Sequence, residues 1–254
     1  MSIAHNRNFM KCPSFKEEMA KSDQQNGVEP PSVSKAAKGE LITLPAFEDL
    51  PLNDSYTNLL AQRRSVRVYD DSTPMTAAQL AYVMYSAMAI QEYRGQGNYA
   101  TLRPAPSGGA RHAFELYAAV QNVEGLASGL YRYHPLENVG KKAVAVEFLG
   151  PIEEFKETIT DMVVGQKWAM GASCTLFISC VPYRAEWRYR EHAHRVVLID
   201  LGHVGQNIML SGVALGLGTC CIAAYDQKLC DKILGLDGIE EYTVYAITVG
   251  LPKK

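Results

Sequence analysis

The stretch from Arg188 to Leu217 constrains this chain most. Val196, Ile199, Val204, Ile208 and Leu215 are among its apolar positions at helical spacing, and Gly216 and Gly218 stop it as glycines stop helices, so the spacing predicts one long helix. Strands and shorter helices surround it in sequence. Cys174 to Val181 is the longest apolar run and reads as a buried strand, far short of the roughly 18 residues that cross a bilayer. Phe114 to Gln121 alternates as a strand does, Leu130 to His134 follows the turn glycines Gly125 and Gly129 as its hairpin partner, and Lys141 to Leu149 and Tyr242 to Val249 read as further strands.

Helices are expected from Ser55 to Arg64, from the capping-box pair Thr76 and Gln79, and from Pro151 through Met170. Leu80, Val83, Met84, Ala87 and Met88 then share the buried face of the second of these. Val66 to Tyr69 reads as a short strand. Strands and helices mix without strict β-α-β alternation, which gives an α+β class with a mainly antiparallel sheet flanked by helices.

Residues 1–49 form an N-terminal extension, polar and at most partly ordered: up to Glu40 they are rich in Lys, Ser, Gln and Pro, too polar to fold alone. Ser14 and Glu17 have capping-box spacing for one short helix within it. The remaining 205 of the 254 residues suffice for a single packed domain, at a hydrophobic share of 47% and a charged share of 20%.

A net charge of −2 without a clustered basic excess argues against a nucleic-acid surface. His5, Asn6, Arg7 and Asn8 stand where a signal peptide places its apolar core, so the expected compartment is the cytoplasm and no membrane association is expected. The six cysteines contain no C-x-x-C pair and read as reduced thiols. Cys220 and Cys221 are adjacent, which leaves open a strained redox-sensing bridge against simple packing. His192, His194 and His203 are spaced too widely on a helix to share one ion, and no metal is expected.

Three clusters could carry chemistry. Arg63-Arg64-Ser65-Val66-Arg67 puts three guanidinium groups and a hydroxyl at a helix-to-strand junction, the donor set that suits a phosphate; it reads equally as a solvated basic helix end. Pro104 to Arg111 holds Pro106, Ser107, Gly108 and Gly109, where main-chain N–H groups can approach a ligand or simply turn the chain. Gly216 to Asp226 is rich in small residues that would let main chain lie against a flat ring, or pack a helix end tightly. No segment has the G-x-G-x-x-G spacing of a Rossmann nicotinamide site.

Taken in order, Arg63 to Arg67, Arg103 to Arg111, Asp200 to Asn207 and Gly216 to Asp226 resemble the nitroreductase-like flavoprotein superfamily, and more narrowly its SagB-type dehydrogenase branch. The resemblance spans about Leu50 to Pro252. It implies a nitroreductase-like sandwich over residues 50–254 and a homodimer with FMN at the interface. It further implies that Arg63, Arg64 and Ser65 hold the FMN phosphate and that Arg67 approaches N1 and the C2 carbonyl, where a cation stabilises reduced flavin. By the same resemblance Pro106, Ser107 and Gly108 reach the flavin of the other subunit, while Cys221, Ile222, Ala223 and Ala224 line the ring.

Two departures stand out. Ala223 and Ala224 occupy positions where many relatives have Gly, and Lys253 is expected to replace basic phosphate ligands that other members carry further on. The implied activity is hydride transfer from a donor such as NAD(P)H to a small acceptor such as a nitro compound or quinone. The branch also includes azoline oxidases acting on modified peptides with a Lys-Tyr pair; here the equivalent segment is Trp187-Arg188-Tyr189, and Arg is a poor base. Tyr189 is the remaining candidate acid or base. A third alternative is a flavin-binding module without turnover.

Overall fold

The structure is a computed structural model that describes residues 7, 9, 11, 19–53 and 55–253. The helix expected around Ser14 and Glu17, and Cys12, lie outside the described residues. Elements run β1 (Leu41–Thr43), α1 (Tyr56–Gln62), α2 (Ala77–Met88), β2 (Glu92–Arg94), β3 (Ala100–Leu102), β4 (Phe114–Val120), β5 (Gly129–Tyr133), β6 (Ala145–Gly150), α3 (Phe155–Met162), β7 (Cys174–Cys180), α4 (Tyr183–Tyr189), α5 (Ala193–Ala214), β8 (Gly218–Ile222), α6 (Gln227–Leu234) and β9 (Tyr242–Gly250).

Seven strands form one sheet in the order β1-β6-β5-β4-β7-β9-β8, and every neighbouring pair is antiparallel. The class is α+β, as the mixing of elements implied. The strands β4 and β7 sit in the middle and are buried on both faces. From β4, Phe114, Leu116, Ala118 and Val120 point into a core with α2 and α5, while Tyr117 and Ala119 point into a second core with α3 and α6. The expected alternation is therefore one of face, not of polarity.

Helix α2 begins where the sequence placed it. Thr76 Oγ1 accepts from Gln79 N (3.2 Å) and Gln79 Oε1 accepts from Thr76 N (3.0 Å), and Leu80, Val83, Met84, Ala87 and Met88 are buried.

Other elements depart from expectation. The long helix is two: α4 ends at Arg190, whose φ of 49° and ψ of −128° cannot continue a helix, and a short 3₁₀ turn leads into the 22 residues of α5. The helix expected from Pro151 starts at Phe155 and stops at Met162, because Val164 and Gly165 take φ of 50° and 81°. Val66 to Tyr69 is extended but joins the sheet only through single bridges, Ser65 to Thr219 and Tyr69 to Pro252. Among the described residues the 183–214 stretch is long and apolar enough to cross a bilayer, with the Arg190 break near its start and 44% of the apolar window buried inside the molecule.

Residues 22–40 lie along the sheet and are held by arginines from β5, α4 and the segment after β3. Arg184 donates to Ser32 O (2.8 Å), Arg103 to Val33 O (2.8 Å) and Arg132 to Ala36 O (2.7 Å). Glu115 accepts from Lys35 N (2.8 Å) and pairs with Arg184 (2.5 Å), and Glu147 accepts from Lys38 N (2.9 Å) and pairs with Arg132 (2.8 Å). Glu115 and Glu147 are each 2% exposed, so these charges are compensated where they stand.

Candidate functional site

The basic run and the small-residue stretch meet. Ser65 bridges Thr219 in parallel, and Val66 N donates to Thr219 O (2.9 Å). Gly218 is required for this contact, because a Cβ there would come within 2.6 Å of Val66 Cγ1. The junction after α1 thus lies beside β8, a strand that sequence reasoning read only as a tight small-residue segment.

Among the described residues, no carboxylate lies within ion-pair distance of Arg63, Arg64 or Arg67. Arg64 Nη1 folds back to Arg63 O (2.7 Å) and Ala61 O (3.0 Å), and Arg67 lies over the Trp168 ring at 5.6 Å. Thr219 Oγ1 is buried with no partner. Lys253 joins the same end of the sheet, its N–H donating to Val68 O (3.1 Å).

Along β8 the side chains alternate. Ile222 is 3% exposed and packs into the core with α3 and α6, so it can offer only main chain to a ligand. Cys221 is half-buried against Tyr245 and Gly205, its thiol pushed up chiefly by burial. Cys220 is on the opposite face, its thiol likewise raised by burial while Arg67 and Ser65 oppose the shift. Neighbours pointing to opposite faces of a strand cannot bridge, so the vicinal redox pair is overturned by β-geometry, and both thiols are free. Ala223 and Ala224 follow in an exposed irregular segment, where Ala224 O accepts from Gln166 Nε2 (3.1 Å).

The Pro106 to Gly109 loop is elsewhere on the same helix. Ser107 Oγ donates to Asp200 Oδ2 (2.7 Å) and accepts from His112 N (2.9 Å), and Gly108 N donates to the same carboxylate (3.0 Å). Burial raises the Asp200 carboxyl, with the Ser107 and Gly108 bonds opposing it. Asp200, a residue that sequence reasoning cited only as part of a motif, is thus what orients this loop. Gly109, at φ 58°, turns the chain where a Cβ would meet Tyr189 Oη at 2.6 Å, and a Cβ on Gly108 would meet Val196 Cγ1 at 2.4 Å. Pro106 is exposed.

Asp200 contacts this loop, and Gly212, which packs on Thr219, lies twelve residues further along α5, or about 18 Å at helical rise. One chain therefore brings Arg63 to Arg67 and Lys253 together at the Thr219 end of β8 and holds Pro106 to Gly108 apart from them, while Cys221, packed against Gly205, stands five residues, or about 7.5 Å at helical rise, from Asp200 along α5. Tyr189 belongs with the loop: it is 8% exposed, and burial raises its phenol while Arg188 and Arg111 oppose the rise and Asp200 adds to it.

Against known proteins, the chain matches the model of the nitroreductase family over residues 60–251. It is 31% identical over 218 residues to the candidate nitroreductase MJ1384 of Methanocaldococcus jannaschii, covering 82% of this chain and 95% of that protein. It is 27% identical over 216 residues to the trifolitoxin-processing protein TfxB of Rhizobium leguminosarum bv. trifolii, of which it spans 54%. In fold it resembles a candidate nitroreductase from Ralstonia eutropha JMP134, with a TM-score of 0.65 at 20% identity over 89% of this chain and 98% of the other. It also resembles a chain of the E. coli microcin synthetase McbBCD complex bound to truncated pro-MccB17, with a TM-score of 0.63 at 18% identity over 100% of this chain and 98% of the other.

Proposed function

We propose that this chain, which belongs to the nitroreductase family, is a homodimeric FMN-dependent oxidoreductase passing hydride from a donor such as NAD(P)H to a small nitro or quinone acceptor. One observation carries the reading: Arg63, Arg64 and Arg67 gather beside β8 with no carboxylate among the described residues to neutralise them, next to Thr219 Oγ1, buried and without a described partner. Cations left open around an unsatisfied oxygen suit a phosphate monoester on one side and a polar ring edge on the other.

When bound, FMN supplies a ring that accepts and returns hydride at N5. The chain's own residues hold and orient it. Arg63, Arg64 and Ser65, with Lys253, are placed to grip the phosphate, and Arg67 to oppose negative charge on the ring. Cys221, Ile222, Ala223 and Ala224 offer a low wall of main chain. Pro106, Ser107 and Gly108 serve the partner's flavin, since within one chain they stand about 18 Å along α5 from the Thr219 contact where the basic run lies. The exposed Leu198 (54%) and Ile199 (52%) on α5, with Tyr56 (67%) and Leu60 (46%) on α1, support burial against a second copy. With its pKa raised, Tyr189 keeps its proton at neutral pH and can serve as a donor to an acceptor.

Similarity to a trifolitoxin-processing protein favours a second reading, an azoline oxidase acting on a modified peptide. That reading needs a base; an arginine side chain is a poor one, and burial raises the Tyr189 phenol.

The visible spectrum tests the cofactor. Purified protein should carry flavin bands or acquire them on soaking with FMN, and anaerobic mixing with NADH or NADPH should bleach them. Protein that stays colourless overturns the cofactor assignment; flavin that stays oxidised with both donors marks a binding module.

A further inference from the structure

Helix α4 has seven residues, short of the roughly 12 at which an isolated helix becomes even marginally stable, so what packs against it decides where it sits. Its two faces meet different neighbours. Ala185 and Tyr189 join the core with α5, whereas Tyr183, Arg184 and Trp187, three and four residues apart, face the strap of residues 22–34.

The strap holds that second face along its whole length. Tyr183 Oη donates to Asp23 Oδ2 (2.7 Å), Arg184 Nε to Ser32 O (2.8 Å) and Trp187 Nε1 to Val28 O (2.8 Å), while Gln24 N donates to Trp187 O (3.0 Å). Just past the helix, Arg190 Nη1 donates to Lys21 O (3.0 Å). Trp187 is 2% exposed, so its N–H has little water to turn to if Val28 O is withdrawn.

The opposite face carries the candidate chemistry. Tyr189 stands against the 106–109 loop, close enough that a Cβ on Gly109 would meet its Oη at 2.6 Å and one on Gly108 its Cε2 at 3.5 Å. Both ends of that loop are tied into the same assembly: Arg103 donates to Val33 O (2.8 Å), and Arg111 donates to Arg184 O (2.8 Å) and stacks on Trp187 at 4.6 Å from the ring centroid. Strap, helix and loop therefore form three layers in contact, and the strap lies ahead of the family-matched residues 60–251.

We propose that residues 22–34 are a positioning element of the active site: they hold α4 onto the 106–109 loop and so set how deeply Tyr189 is seated against Gly108 and Gly109. That this seat serves hydride transfer rests on the oxidoreductase reading; that the strap sets it rests on the bonds alone. Burial is the largest cause raising the Tyr189 phenol, Asp200 adds to it, and Arg188 and Arg111 oppose it. A looser seat lets water in and brings the phenol down towards its ordinary value of 10.0.

The test is the double variant Tyr183→Phe, Trp187→Phe in the full-length protein, which removes two side-chain bonds to the strap, keeps an aromatic ring at each position and changes no residue of the loop. Its comparison is Lys35→Met, which cuts the strap from Glu241 and Tyr117 on the sheet and leaves the bonds to α4. Both should lower the melting temperature. Carbon-13 NMR of ring-labelled tyrosine follows the phenol, the Tyr189 signal being identified by its loss in Tyr189→Phe. Its titration midpoint should fall in the double variant and stay in Lys35→Met. In flavin-loaded enzyme the alkaline limb of kcat should shift with it while KM for the donor holds.

A Tyr189 midpoint that holds in the double variant, or falls equally in Lys35→Met, overturns the strap's role. If the double variant does not fold, as its melting curve will report, Tyr183→Phe, at the 37% exposed end of the same face, is read in the same way. Colourless protein whose midpoint still falls in the double variant sinks FMN and keeps the strap, whereas flavin-loaded, active protein whose midpoint does not move does the reverse.

Discussion

The molecule has two populations of arginine, and they do opposite work. Arg103, Arg132 and Arg184 are 8%, 4% and 2% exposed, and each reaches across to a main-chain carbonyl of residues 32–36. Arg63, Arg64 and Arg67 stand at the surface by β8 with their charges uncompensated by any described carboxylate. Buried arginines of the first kind fasten chain to sheet, so their energy is already spent on folding. Those of the second kind contribute little to the fold and remain available to an anion. Position in the fold, more than residue type, decides which role a guanidinium takes.

The sharpest way to break this comparison is Glu115→Gln. It strips Arg184 of its counter-charge in a site shared with Lys35 N and Ser34 Oγ (3.3 Å), and loss of one partner from a buried pair costs about 3–5 kcal/mol. Chemical denaturation should show that loss. Arg64→Ala, by contrast, should stay within about 0.5 kcal/mol of the parent protein. Equal effects for the two would dissolve the distinction.

Acid should separate the regions next. His112 lies 7% exposed beside Arg103 and Arg111, with Nε2 on Thr101 O (2.9 Å); burial and then the Arg103 charge lower its pKa from 6.5 to about 3. A group depressed in the fold takes up its proton more readily when unfolded, so the stability it contributes is present above pH 6.5 and drains away as pH falls towards 3. At about 1.4 kcal/mol per unit, roughly 3 kcal/mol should be lost between pH 6.5 and about 4. Melting curves across that range check it, and His112→Gln should flatten the slope.

On the exposed side the readout moves from stability to ligand. If Arg63 and Arg64 grip a phosphate, each truncation to Ala should weaken FMN by about 10- to 100-fold, the 1.5–3 kcal/mol typical of a hydrogen bond to a charged group. Flavin fluorescence titration measures this, and the melting temperature of flavin-free protein should hardly move.

The sequence made one of these populations visible and hid the other, for a physical reason. Arg63 to Arg67 is contiguous, and the Thr76 and Gln79 capping box is a local bond, so both were legible. Arg103, Arg132 and Arg184 are far apart in sequence and meet only because the segment after β3, strand β5 and helix α4 bring them to one strap. For the same reason β1, three residues paired only to β6, and β8, a Gly-Thr-Cys-Cys-Ile run paired to β9, gave no periodic signal. The break at Arg190 was hidden too, because nothing in an arginine announces a positive φ. At the candidate site, motif order marked the loop at Ser107, while its tie to Asp200 had no local signature.

Ser107 is the residue on which the two regions overlap, and so the finest test. The resemblance puts its hydroxyl towards flavin, but in the folded chain that hydroxyl already donates to Asp200 and accepts from His112 N. A group with both roles filled at 2.7 and 2.9 Å should act first on the loop and only through it on a ligand. Ser107→Ala should therefore cost about 1–2 kcal/mol of stability, the net worth of two hydrogen bonds. It should also let the Asp200 carboxyl rise further, since the Ser107 bond opposes the effect of burial there. Carbon-13 NMR of the Asp200 carboxyl follows the second effect and denaturation the first. Should Ser107→Ala instead leave stability intact and abolish FMN binding as thoroughly as Arg64→Ala, the hydroxyl belongs with the exposed arginines and the line between the two regions has been drawn in the wrong place.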